Sequence, residues 1–280
     1  MASSNATRRE PGEFTNSANW CEHFERNAAN RPALSWEEGG GVTAQERDLV
    51  AKSVQTFQLG ESGEGRHLIA AAAAHAERTG DFDYITAVRL FVAEEQQHSR
   101  ELGDFLDAAG MPRMTVHWSD GCFRRLRHLA GLELSIAVLL TAELLANVYY
   151  AALRKATGSA MLREICTRLL RDEVFHVRFQ CERLAILRCN RPQWLMRITH
   201  ALHRAFFRGT SLVVWWTHHR VLRAGGPSFR EFWRKSHGEL HRALRLMDPQ
   251  LYAASVAFRS AKGPAFAERK TTMGVNSLRG

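Results

Sequence analysis

Apolar residues recur at three- and four-residue intervals through most of this 280-residue chain, and no long segment alternates as a half-buried strand does. That pattern predicts helices. Thr43-Ala44-Gln45-Glu46 has the form of a capping box and opens a first long helix expected to run to Thr79, ahead of Gly80. After the short connection TGDFDY, a second helix carries ITAVRLFVAEEQQHSRELGDFLDAA to a stop at Gly110 and Pro112. Residues 110–130 show no clear period. A third helix follows the apolar run from Leu132 to Ala156, TGSA turns the chain, and a fourth covers 160–189 before Asn190 and Pro192. Helix, short turn, helix, long connection, helix, short turn, helix is the layout of a four-helix bundle with one long crossover, in an all-α fold.

The flanks complete four regions. Residues 1–42 are polar, with Trp20, Phe24, Pro32 and Trp36 as anchors and Gly39-Gly40-Gly41 near the end, and are expected to form a loosely structured arm. The bundle occupies 43–190. Residues 191–261 read as additional C-terminal helices packed on it, divided near Gly225-Gly226-Pro227, and 262–280 as a flexible tail. The run from Leu132 to Leu153 is long enough to cross a bilayer, but Glu133, Glu143 and Asn147 within it favour a buried bundle helix.

Charge is uneven. Residues 191–280 hold 16 Lys and Arg against 4 Asp and Glu, whereas the first 190 hold 22 against 25. Four of the seven tryptophans lie in the same basic third. Such a region can meet an anionic substrate, a membrane surface or nucleic acid, but it carries a motif for none of them. The favoured reading is extra helices that pack through Trp and Phe and are solvated by Arg; nucleic acid is disfavoured and membrane-surface contact is secondary. The five cysteines, Cys21, Cys122, Cys166, Cys181 and Cys189, are odd in number and contain no Cys-x-x-Cys pair. Neither a disulfide framework nor a thiolate zinc site follows, and with a polar N-terminus the expected location is cytoplasmic.

The chemistry sits in the apolar helices. Glu95-x-x-His98 and Glu173-x-x-His176 are separated by 78 residues, the same offset that relates Thr79-Gly80 to Thr157-Gly158. Residues at i and i+3 share a helix face, so each carboxylate and imidazole can reach one metal ion. In antiparallel hairpins, equal distance from the turn means equal depth. Glu143 lies fifteen residues before Gly158 and Glu64 sixteen before Gly80, which places both near the two pairs. Glu61, one turn earlier, is the alternative to Glu64. Four carboxylates and two histidines balance two divalent cations, and oxygen donors with one imidazole per ion suit iron, with manganese or a mixed Mn/Fe pair as the other choices. His67, Glu101 and Glu133 have no counterpart in this arrangement and are expected outside it, Glu101 and Glu133 in solvent. Tyr149 and Tyr150 lie two turns past Glu143, within reach of the site or packed in the core. His218 and His219 are about 100° apart on a helix and read as packing or surface residues rather than paired ligands.

This set, Glu64, Glu95-x-x-His98, Glu143 and Glu173-x-x-His176, resembles the ligands of the ferritin-like di-iron carboxylate superfamily over residues 43–190. The resemblance implies two irons that react with dioxygen or peroxide. It also implies that Glu94 and Asp172, each just before a motif Glu, accept hydrogen bonds from ligand histidines. The leading expectation is an O2-activating oxidase or oxygenase of an unidentified small molecule, with an electron donor and a homodimer as compatible partners. A ferroxidase or peroxide-reducing iron-handling protein is the alternative, and a metal-free helical binding protein the third.

Overall fold

The computed structural model describes residues 13–34, 36, 40–115 and 131–261. Among them the regular elements are helices: α1 (Ser17–Ala29), α2 (Ala44–Glu61), α3 (Arg66–Thr79), α4 (Asp83–Ala108), α5 (Leu132–Ala156), α6 (Ala160–Arg188), α7 (Gln193–Ala224), α8 (Phe229–Leu246), a 3-10 turn (Pro249–Tyr252) and α9 (Val256–Ala261). There is no strand among the described residues. The tail expected at 262–280 and Cys122 lie outside them, and no disulfide joins the four described cysteines.

Helices α5 and α6 form the most extensive pair, α4 packs against α1, α2, α3 and α6, and α7 and α8 cover α5 from the other side. Helix α5 is apolar on nearly every side. It is long and apolar enough to cross a membrane by length and composition, but 78% of its most apolar window is buried within the protein, as befits a central helix.

Two expectations are corrected. The single helix from 43 to 79 is two helices, because the chain breaks at Ser62–Gly65. Gly65 has φ +62°, and a Cβ there would meet Val92 Cγ2 at 2.5 Å, so only glycine allows this close approach to α4. The described part of the N-terminal arm is not loose. Asn16 caps α1 by accepting a hydrogen bond from the Asn19 amide at 2.8 Å, and Trp20 and Phe24, one turn apart, are buried against α4 and α6.

Thr43 does cap α2. Glu46, however, does not close the box: its Oε1 accepts the Gly158 amide at 2.9 Å, fastening α2 to the turn between α5 and α6.

Candidate metal centre

Glu95 and His98 on α4 face Glu173 and His176 on α6, with one ligand atom from each lying within 4.8 Å of all the others. His98, Glu173 and His176 are completely buried. His176 Nδ1 is 2.8 Å from Glu95 Oε1, 3.7 Å from Glu173 Oε2 and 3.9 Å from Glu143 Oε2, and His98 Nδ1 is 3.7 Å from Glu95 Oε1. Nevertheless His98 Nδ1, His176 Nδ1, Glu95 Oε1 and both Glu173 oxygens have no hydrogen-bond partner. Buried polar atoms are rarely left in this state. Five such atoms on four side chains clustered within 4.8 Å have the donor chemistry of a hard or borderline cation site.

The outer imidazole nitrogens fix the inner ones. His98 Nε2 is 3.1 Å from Asp172 Oδ2, and His176 Nε2 is 2.8 Å from Glu94 Oε2. The pairs cross, each histidine bonding to the acid on the opposite helix. An ionised acid can only accept, so each Nε2 carries the proton and each Nδ1 lone pair turns inward.

The charges of Asp172 and Glu94 are secured from the arm. Arg31 Nη1 donates to Asp172 Oδ2 at 2.9 Å, and its Nε and Nη2 grip both oxygens of Glu101 at 2.7 and 3.0 Å. Asn27 donates to Asp172 at 3.2 Å and also to Glu94. Burial pushes the Asp172 carboxyl upward, but the His98 bond and the positive charges of Arg31 and Arg171 hold it well below the ordinary range. Glu94 is lowered in the same way, chiefly by His176 against the cost of burial. Inside the ring the balance reverses. Burial, followed by repulsion from Glu143 and Glu61, drives Glu95 well up; burial and Glu173 do the same to Glu143; and burial raises Glu173 to about 7. Crowded buried acids of this kind ionise together only beside positive charge.

Glu143 on α5 is buried and accepts from Gln180 Nε2 at 3.2 Å. Of the two candidates for the remaining carboxylate, the structure brings Glu61 to the cluster and leaves Glu64 outside. Glu61, the last residue of α2, accepts the Tyr150 hydroxyl at 2.7 Å. Glu64 lies in the break, 63% exposed and paired with Arg66 at 2.5 Å. Depth counted along an unbroken helix favoured Glu64; the break turns the chain before that residue. His67, in the first turn of α3, is not among the clustered residues. Glu101 and Glu133 are not solvated as expected. Glu101 is held by Arg31, and Glu133 is gripped by Arg188 at 2.8 Å and Arg191 at 2.6 Å.

A cavity of about 150 Å³ adjoins the cluster, with Glu61, Glu95 and Glu143 at one side and Phe57, Val138, Ala142 and Val214 among its apolar walls. His218 also lines it. That residue is buried, with Nδ1 2.8 Å from Ser53 Oγ, which in turn donates to the Tyr149 hydroxyl at 2.9 Å. His218 is therefore a packing residue with one edge on the cavity, separate from His219, which bonds the Trp216 carbonyl. No family model matches the chain, and neither a curated protein nor a solved structure does.

Asn27, Arg31 and Gln180 are the site's residues that spacing within the bundle did not single out. A signal for the first two was present: Trp20, Phe24, Asn27 and Arg31 fall at i, i+4, i+7 and i+11, the spacing of one helix face, with Arg31 two residues past the end of α1.

Proposed function

We propose that this chain is a ferritin-like di-iron carboxylate protein that activates dioxygen to oxidise a small, largely apolar molecule. The observation that carries the reading is the set of five partnerless buried donor atoms on two crossed Glu-x-x-His pairs. Glu95, His98, Glu173 and His176 would hold the metals, with Glu143 and Glu61 as the carboxylates from the other two helices. Iron, held by these residues, would supply the electrons that dioxygen activation requires.

The chain's own residues have distinct tasks. Asp172 and Glu94 retain the Nε2 protons and aim the imidazoles. Tyr150 orients Glu61 through its 2.7 Å bond, and Gln180 does the same for Glu143. The apolar walls exclude water from one side of the cluster and select an uncharged substrate portion. That enclosed space beside the acids favours substrate oxidation over iron storage.

The test is metal content after anaerobic Fe(II) loading and desalting, with the visible spectrum then followed on exposure to oxygen. About two irons per chain and a new absorption are expected. A folded protein that retains no iron and no manganese would reject the reading, and a hollow assembly holding many irons per chain would replace oxidation with storage.

A further inference from the structure

Helix α7 packs its inner face on the bundle, where Phe207, Ser211, His218 and Leu222 are buried. Its outer face is also apolar. Trp194, Ile198, Leu202, Leu212 and Trp216 are 48–76% exposed, and their spacing places them within a single stripe about 33 Å long, with exposed Ala205 and Gly209 between them. A row of large exposed side chains on one helix differs from the scattered apolar residues of an ordinary surface.

The charges beside the stripe narrow what can cover it. Arg197, Arg204 and Arg208 are exposed along one flank, and no Asp or Glu occurs anywhere between Glu182 and Glu231. A second copy laid stripe on stripe would bring these arginines against one another with no acid to meet them. A surface of anionic lipid headgroups supplies the missing charge, and tryptophan near both ends is suited to the boundary between headgroups and acyl chains.

The stripe continues into a groove of about 600 Å³ between α5, α6 and α7. Leu134 and Leu202 line its apolar part, and Arg78 lines it together with Arg188 and Arg191, which pair with Glu133 in the same groove.

We propose that the outer face of α7 docks this protein on a bilayer surface containing anionic lipid, lying in the interfacial plane without crossing it. The inner side of the same helix supplies Thr210, Val213 and Val214 to the cavity beside the metal cluster, so docking would set that cavity next to the lipid phase.

The experiment is flotation of the full-length protein with phosphatidylcholine vesicles made with and without phosphatidylglycerol. Binding is expected only to the anionic vesicles, weakened by salt. The pair Leu202→Ser and Trp216→Ser, and separately Arg204→Glu with Arg208→Glu, should each weaken it at least about tenfold. These positions are exposed, so unchanged thermal melts will show that the fold survives. A blue shift of tryptophan emission on vesicle addition, lost in the first pair, is the spectroscopic counterpart. Absence of binding to anionic vesicles, or equal binding by wild type and both variants, would overturn the proposal. So would a wild-type dimer that the serine variants convert to monomer, which would assign the stripe to self-association, or tighter binding to a nucleic-acid duplex than to vesicles.

Discussion

Asp172 on α6 accepts its bond from His98 on α4, at 3.1 Å, while its immediate neighbour Glu173 turns inward to the cluster. Two successive acids therefore serve opposite ends of one site: the first orients an imidazole, and the second offers oxygens to a cation. Asp172→Asn should preserve the fold but weaken iron binding by about 10–100-fold, because an amide does not draw the Nε2 proton as a carboxylate does. Titration of the folded variant with Fe(II) under anaerobic conditions measures this.

Removal of an inward acid should have a larger effect. Glu143→Ala and Glu173→Ala are expected to abolish stable metal retention, and Glu61→Ala to reduce it, whereas Glu64→Ala and His67→Ala should load like the wild type. Metal content per chain after desalting ranks the five variants. Normal loading of Glu173→Ala would dissolve the site assignment.

Arg31 bridges Glu101 and Asp172 while only 10% exposed. Arg31→Ala leaves buried Glu101 with Arg168 at 3.8 Å as its remaining cation, while Asp172 keeps Arg171 at 3.1 Å. Breaking a buried pair from one side should cost about 3 kcal/mol. Denaturant unfolding of the metal-free protein gives the value directly.

Metal-free stability should fall as pH rises through neutrality. Glu173 keeps its proton in the folded protein up to about 7 but releases it near 4.5 when unfolded. The folded state thus binds more protons between those limits, and the contribution, full below 4.5, is lost as pH passes through about 7. Glu95 and Glu143 are raised by the same burial and act in the same direction. Asp172 and Glu94 are lowered and act oppositely, but only below their ordinary values, whereas His75 and His203, lowered by burial to about 4, oppose the trend up to about 6.5, so the net decline is expected from there upward. Melting temperature followed across this range after chelation should decline, and added Fe(II) or Mn(II) should reverse the slope by replacing the protons.

Two glycines on α7 and its boundary make a paired test. A Cβ on Gly225 would lie 2.1 Å from the Ala152 carbonyl oxygen, so Gly225→Ala must push α7 from α5 and should cost about 1–3 kcal/mol. Gly209 has nothing within 4 Å of the same added atom, and Gly209→Ala should stabilise the exposed helix by about 0.5–1 kcal/mol. Thermal melts of the two variants should move in opposite directions.

Helical periodicity and two turn glycines locate α4, α5 and α6 to within a few residues, and the repeat of Glu-x-x-His finds the four clustered side chains, because both features are local consequences of 3.6 residues per turn. The choice between Glu61 and Glu64 was not local. It depends on a break that lets Gly65 touch Val92, 27 positions away in the chain. Arg31 was hidden for a similar reason, since its partner Asp172 is 141 residues distant and pairing across that separation leaves no spacing to read. The arm's polarity suggested a loose structure laid on the bundle by a few anchors, whereas Trp20 and Phe24 sit on a capped helix packed against α4 and α6.

That arrangement divides the arm's contacts by the order in which they can form. Phe24 can meet Phe91 as soon as α4 exists, whereas the Trp20–Glu182 and Arg31–Asp172 bonds must wait for α6, 162 and 141 residues further on. During synthesis the outer acid Asp172 therefore receives its cation from a segment made well before it.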